Sequence, residues 1–487
     1  MPRSARPIEV PLTLPPGSAP LPRRVADAVL ATVADGRLAP GDPLPATRAL
    51  AGQLGISRTS VIAAYEELLA AGYVVTRGGS GTYVAPGARE ALVARAASHV
   101  TPAEAVPPPR PSRTLARDAP VDREGPSGGP EPLDLRPGRP DTGLVDRAEW
   151  RRAWRAAAAA PIADDAYTSD GPLAAALSGH LRRTRGVTVE PERLVLLPAV
   201  ALGLRVLGMA LGITGAQVAV EDPGYRRAVA TFAGLGARVR PVPVDEDGLD
   251  PALLEPGDRG VYVTPAHQYP TGGRLPVERR AALVQWARRT GNLVVEDDYD
   301  GEFRYGVPPL PALHALAGAQ DHVAYLGTVS KVLTPALRVA WLVPPPRLLE
   351  PVRAACDELR LGVGQADALA LTELINSGGL TRHLARATRL YAARRAALVQ
   401  ALVGRLPVTG VEAGLHLTIP LPEDTDDQAV AARVERSGYL VEPLSSCARA
   451  STRRGLLVGY APLPESRAPL VGAALTAAIE ARSAAET

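Results

Sequence analysis

Lysine is all but missing from this chain of 487 residues. Of the 54 basic side chains, 53 are arginine and the remaining one is Lys331. Cysteine is also scarce, with only Cys356 and Cys447, which lie far apart in sequence. Two such residues exclude a disulfide framework and give no metal-ligand spacing. No run of 18 uninterrupted apolar residues occurs, which excludes a helix long enough to span a bilayer. The opening MPRSARPIEVPLTLPPGS has no apolar stretch of signal-peptide length. These absences point to a soluble cytoplasmic protein with no membrane partner and no metal. A strong overall charge is missing too: 54 basic against 51 acidic side chains leave a net +3, so bulk charge alone does not predict nucleic-acid binding.

An arginine-only surface follows from codon bias in a GC-rich genome, which makes the exception informative. If only positive charge were needed at 331, arginine would serve. A guanidinium stays protonated and is a poor nucleophile, whereas an amine can shed its proton and form a Schiff base. Lys331 is therefore a candidate catalytic or cofactor-anchoring residue before any motif is read.

Composition divides the chain into three. Residues 1–85 hold helical patterns ending in a glycine-rich hairpin. Residues 86–132 are dominated by Pro, Ala, Arg and Gly, as in PPPRP, and read as an interdomain linker with a short helix around ALVARAAS. From 133 to 487, apolar runs such as QVAVED, RGVYVTP, NLVVEDD and HVAYLGT alternate with Ala/Leu/Arg helical segments. That alternation predicts an α/β domain with a mostly parallel sheet.

In the first region LPRRVADAVLATVADG has helical spacing and stops at Gly36. Residues 46–54 read as a second, short helix ended by Gly55, and Ser57 caps a third, SRTSVIAAYEELLAAG. Val61, Ala64, Tyr65, Leu68 and Leu69 form its buried face, leaving Arg58, Thr59 and Ser60 at its exposed start. Two short helices joined by a tight Gly-Ile-Ser turn make a helix-turn-helix, in which the start of the second helix reaches base edges. YVVTRGGSGTYV supplies a hairpin wing.

The larger region meets the demands of a pyridoxal-type cofactor. These are an amine for the aldehyde, a carboxylate for the pyridine nitrogen, a hydroxyl near the phenolate, an aromatic ring and phosphate donors. Lys331 follows the strand HVAYLG, flanked by Thr328 and Ser330, with Arg338 seven residues on as a phosphate clamp. Asp297 and Tyr299 end NLVVEDDYD, and Tyr225 follows QVAVED. All lie at strand ends, where ligands collect in open α/β sheets. His267 and Gln268, in VTPAHQYPTG, read as supporting residues rather than direct ligands.

The segment GRLAPGDPLPATRALAGQLGISRTSVIAAYEELLAAGYVVTRGGSGTYV resembles the winged helix-turn-helix of GntR-type bacterial regulators. By that resemblance Arg48, Arg58 and Thr59 contact double-stranded DNA, with Arg77 and Gly79 at the wing. The strings VEDPGY, VTPAHQYPTGG, VEDDYDGEFRY, YLGTVSK and PALRVAWLVPP resemble fold-type I aminotransferases. They resemble more closely the MocR group, in which a GntR-type head is fused to an aminotransferase-like body. The resemblance implies that Lys331 forms the internal aldimine of pyridoxal 5'-phosphate. It also implies that Asp297 pairs with the pyridine nitrogen, Tyr299 with the phenolate, and Tyr225 stacks on the ring. Thr328, Ser330 and Arg338 would hold the phosphate, together with the amides of Val200 and Ala201.

One loop departs from the group. Relatives carry Thr-Ser-Gly-x-Gln-Gln-Ala-Leu where this chain reads LLPAVALGL, so Ala199 replaces the glycine and Ala201 and Leu202 the glutamines. The arginine that grips a substrate carboxylate in aminotransferases is also not evident: Leu457 stands at its place, and Arg449, Arg453 and Arg454 lie nearby. The expectation is a cofactor-dependent transcription regulator that senses pyridoxal phosphate or an amine and works as a head-to-tail homodimer on an operator. Two alternatives are an aminotransferase with an accessory head and a regulator whose cofactor site has decayed.

Overall fold

The computed structural model describes residues 12–15, 20–77, 81–89, 92, 132–162, 170–306 and 310–481. In the head, α1 (Leu21–Ala34) turns Val25, Val29 and Val33 inward at helical spacing. α2 (Thr47–Leu54) stops at Gly55, whose φ of 63° takes the left-handed turn that a side chain would disfavour. Ser57 then caps α3 (Arg58–Ala70), its hydroxyl accepting from the Ser60 amide at 3.1 Å. This satisfies one of the amides that a helix start leaves unpaired. Tyr65 donates to the Pro45 carbonyl at 2.8 Å and ties α3 to the segment that opens α2. β1 (Val74–Arg77) and β2 (Gly81–Val84) pair antiparallel, with Arg77 opposite Gly81. The head core continues past this hairpin to Ala88 and Leu92. The linker reading over 86–132, its short helix and the wing residue Gly79 lie almost wholly outside the described residues.

The body opens with β3 (Leu133–Asp134), α4 (Arg147–Ala159) and α5 (Asp170–Thr184). A large sheet follows from β4 (Val195–Leu197), β5 (Gln217–Asp222), β6 (Arg238–Asp245), β7 (Gly248–Leu249), β8 (Asp258–Val263), β9 (Leu293–Asp298), β10 (Val323–Thr328) and β11 (Ala340–Val343). Its eight strands run in the order β4-β11-β10-β9-β8-β5-β6-β7. Strands β10, β9, β8, β5 and β6 are parallel, and β11 is antiparallel to both β10 and β4. β4 therefore points the same way as β10. Because β9 is buried along its whole length, it reads as a continuous run rather than an alternating one.

Helices α6 (Val200–Leu211), α7 (Arg226–Gly234) and α9 (Pro346–Glu358) cover one face, packing on Val218, Tyr262, Val295 and Leu326. α8 (Val277–Thr290) covers the other, packing Leu283 and Trp286 on Val261, Val294 and Val323. The chain ends in a smaller layer of α10 (Gln365–Asn376), α11 (Gly379–Leu402), β12 (His416–Leu421), α12 (Asp427–Arg436), β13 (Tyr439–Leu440), β14 (Glu442–Pro443), β15 (Arg454–Gly459) and α13 (Ala468–Glu480). β12, β14 and β15 form a sheet of their own, and β13 pairs with β3. Among the described residues no helix is long and apolar enough to cross a membrane.

Candidate cofactor site and nucleic-acid face

Parallel strands deliver their last residues to one edge of the sheet, and the candidate residues follow from that. Asp297, next to last in β9, sits beside Leu326 of β10. Lys331 comes three residues after β10 ends, and Tyr225 three after β5. Side chains alternate along a strand, so β9 sends Glu296 and Asp298 to one face and Asp297 to the other. On the first face Glu296 accepts from the amides of Leu313 and His314 at 2.7 and 2.9 Å. Asp298 is held by Arg185 at 2.5 and 3.0 Å and by the Tyr325 hydroxyl at 2.8 Å. Both carboxylates are thereby committed to the fold.

Asp297 is different. One oxygen accepts from Tyr262 at 2.6 Å, and the other, Oδ1, is buried without a hydrogen-bond partner. Burial pushes its pKa up to about 7, although the Tyr262 hydrogen bond and the Lys331 charge oppose the shift. A buried acceptor left open in this way fits a protonated pyridine nitrogen. The Lys331 amine is mostly buried, and that burial lowers its pKa. It donates to the Gly138 carbonyl at 2.9 Å. Gly138, in LRPGRPD, has φ +72°, and a Cβ there would come within 2.7 Å of the lysine nitrogen. A side chain there would displace the amine from its place, and the positive φ itself favours glycine. The residues present thus fit a pyridoxal-type group.

The ring of Tyr225 lies 6.4 Å from that of Tyr262 at an interplanar angle of 25°, and edge-on to Tyr269 at 6.0 Å. Tyr299 shares the Nδ1 of His267 with Asp300, each at 3.0 Å. His416 lies tilted against His267, at 5.0 Å between centroids and 51° between ring planes. His267 Nε2, Asp300 Oδ1 and His416 Nδ1 are all buried without hydrogen-bond partners, so this side of the site holds unspent polar capacity. Gln268 donates to the Tyr269 and Pro223 carbonyls and to Glu221.

The phosphate candidates are brought together in part. Thr328, Ala340 and Leu197 form one row across β10, β11 and β4, which sets the start of α6 beside the turn carrying Thr328 and Ser330. In that turn the Thr328 hydroxyl accepts from the Ser330 amide at 3.1 Å and faces the Val339 carbonyl at 3.0 Å. Arg338 is exposed and holds φ 51°, a backbone region that costs a non-glycine residue energy. Val200 and Ala201 open α6 after Ala199, whose carbonyl takes the first helical amides, those of Leu202 and Gly203. The amides of Val200 and Ala201 precede that ladder and are the orphan donors of the helix start. Of the residues weighed for a substrate-carboxylate clamp, Leu457 is buried in β15. Arg453 donates to the Val244 carbonyl and Arg454 to those of Thr452 and Arg453.

Sequence reasoning missed Tyr262, Arg185 and Gly138. Tyr262 and Arg185 act on residues 35 and 113 positions away, separations that no local pattern reveals. Gly138 meets Lys331 across 193 positions, a separation just as hidden in the sequence.

On the head, Arg58 and Thr59 are exposed at the start of α3 and Arg48 is exposed on α2. Arg58 reaches back to the Thr47 hydroxyl at 3.3 Å, so the two helix starts form one polar face. Arg77 is in β1, and its side chain lies outside the described residues.

Residues 21–84 match the family described as bacterial regulatory proteins, gntR family, and residues 166–455 match aminotransferase class I and II. The HTH-type pyridoxine biosynthesis transcriptional regulator PdxR of Corynebacterium glutamicum is 37% identical, over 85% of this chain and 86% of that one. The probable rhizopine catabolism regulatory protein MocR of Rhizobium meliloti is 32% identical, over 91% and 90%. The chain belongs to the MocR-type family of transcription regulators. Its head is a DNA-binding domain and its body an aminotransferase-like, pyridoxal phosphate-dependent domain. Among solved structures, the α-aminoadipate aminotransferase LysN of Thermus thermophilus matches with a TM-score of 0.65 at 27% identity, over 73% of this chain and 93% of that one. An archaeal alanine:glyoxylate aminotransferase matches with a TM-score of 0.68 at 25% identity, over 73% and 92%.

Proposed function

We propose that this regulator holds pyridoxal 5'-phosphate on Lys331 and reads either the cofactor or a small amine that competes for its aldehyde. The observation that carries the reading is the pairing of an open, buried Asp297 oxygen with a mostly buried amine over Gly138, at the ends of adjacent strands. When bound, the cofactor supplies an aldehyde that exchanges amines. The residues of this chain do the rest. Asp297 would hold the pyridine nitrogen protonated, and Tyr299, fixed by His267, would donate to the phenolate. Tyr225 would cover one ring face. Thr328, Ser330, Arg338 and the amides of Val200 and Ala201 would take the phosphate. That last set is poorer in side-chain donors than its relatives, so the covalent link carries more of the retention. Arg48, Arg58, Thr59, Arg77 and Gly79 would contact the operator, and two chains would join head to tail at paired half-sites in the cytoplasm. A division into 1–85, 86–132 and 133–487 would serve this arrangement, with the tether between reader and sensor starting beyond Leu92, where the head core ends.

The test is a visible spectrum of purified full-length protein. A band lost on borohydride reduction is expected in the native protein, and Lys331→Ala should abolish it. Persistence of the band in that variant removes Lys331 from its role.

A further inference from the structure

Beside Tyr299 the body holds a cluster of acceptors that the proposed function does not use up. His267 follows β8, Asp300 follows β9, and His416 opens β12 in the smaller layer. The three residues are 1%, 1% and 2% exposed. Each offers one ligand-type atom, and these atoms all lie within 4.8 Å of one another. Among the described residues no other group of three His, Cys, Asp or Glu side chains comes together in this way. A Cβ at Gly414, whose φ is +71°, would collide with both the His267 ring and the Asp300 carboxylate, so glycine there admits the pair.

Hydrogen bonding fixes what the three present. His416 Nε2 lies 3.0 Å from the Pro270 carbonyl, which can only accept, so Nε2 carries the hydrogen. In the neutral ring the lone pair is then on Nδ1, which is buried without a partner among the described residues. His267 Nδ1 faces Asp300 Oδ2 at 3.0 Å. With Asp300 ionised, Nδ1 donates to it and leaves the lone pair on Nε2, also buried and open. Asp300 Oδ1 is the third open atom. Leaving buried acceptors unpaired is costly. A water has hydrogens for only two of them, whereas a single cation serves all three.

Two imidazoles and a carboxylate are a donor set for divalent first-row metals, zinc above all. Bonds of about 2.0–2.2 Å set two zinc ligands at most about 4 Å apart, so small side-chain turns close the set. We propose that His267, Asp300 and His416 bind one divalent transition-metal ion of the zinc class, with a position left open for water. The ion stands against Tyr299, whose hydroxyl is 3.0 Å from His267 Nδ1, and its binding does not depend on the cofactor. The ligands stand at 267, 300 and 416, so no ligand spacing shows in the sequence, which reads as metal-free.

The experiment titrates the full chain with cobalt(II) alone and then with zinc, both as purified and after the cofactor is stripped. Cobalt in a zinc-type site gives visible d–d bands, which zinc should abolish by displacement. Stoichiometric uptake, a single ion per chain, is expected in both preparations. His416→Gln and Asp300→Asn should each weaken zinc binding at least about tenfold, the least that losing even a residue hydrogen-bonded to a ligand costs. His322→Gln, just before β10 at the opposite edge of the sheet, should bind zinc as the native chain does. The site is overturned if the native chain takes up no stoichiometric metal, or if both ligand variants bind zinc as tightly as the native chain. It is overturned as well if the bands appear only with cofactor present, since the cofactor would then be the chelator, and that result would leave the Lys331 assignment standing.

Discussion

At the scale of single residues, the body stores charge that a ligand would complete. Asp297 has its pKa raised from an ordinary 3.8 to about 7 by burial. In the cofactor-free chain the folded state therefore keeps a proton that the unfolded state releases. The sign follows from linkage: this contribution to stability is fully present below about pH 4 and is lost as pH rises through about 7. His416, pushed down to about 3, works in the opposite sense, since its contribution is present at neutral pH and lost on acidification. The informative quantity is thus the difference between the native chain and Asp297→Asn. Without cofactor, the variant should gain stability relative to the native chain as pH rises from about 5 to about 8, measured by urea unfolding. Parallel curves would mean that Asp297 is ionised at little cost, and the open oxygen would then have another explanation. Lys331 was legible at this scale because it stands alone among arginines. Its cradle was not, because Gly138 approaches from 193 positions away.

Elements show the same division between local and distant causes. The helices and turn of the head were readable from Gly55, Ser57 and the spacing of Val61, Ala64, Tyr65 and Leu68, since caps and apolar periodicity act within one or two turns. Ser57→Ala should cost about 1 kcal/mol of head stability, the usual worth of an N-cap. Arg58→Ala should leave stability unchanged, because its side chain is exposed and, among the described residues, makes only the long bond to Thr47. It should nevertheless weaken operator binding sharply in a mobility-shift assay. Unchanged binding would move the recognition surface away from the start of α3.

β9 was readable as a strand ending in acids, but which acid serves the site was carried by the resemblance. Alternation separates Asp297 from its two neighbours, and the partners that use up Glu296 and Asp298 come from the 313–314 turn and from α5's end. Arg185→Met isolates this support. Removing one member of a buried ion pair strands the other, at about 3–5 kcal/mol. The body should unfold at markedly lower urea while the exposed face of the head keeps its residues. A loss below about 1 kcal/mol, the range of exposed pairs, would show that Asp298 is solvated in solution.

For the whole molecule, charge and geometry together argue for two heads. The net charge is only +3, and residues 20–85 carry six arginines against five acids. Affinity for DNA grows with the number of phosphates neutralised, and one such head has few cations to spend. Joining two heads makes the second contact intramolecular, which raises overall affinity by about 10²–10⁴ without new chemistry. A fixed pairing of two bodies would limit where each head can stand, so half-site spacing should matter as well as sequence. The expected result is that the full chain scatters light as a dimer. It should also bind a duplex selected by the full chain itself at least tenfold more weakly when one half-site is scrambled or shifted by half a helical turn. An effect near twofold for both changes is only statistical, and the heads would then act independently.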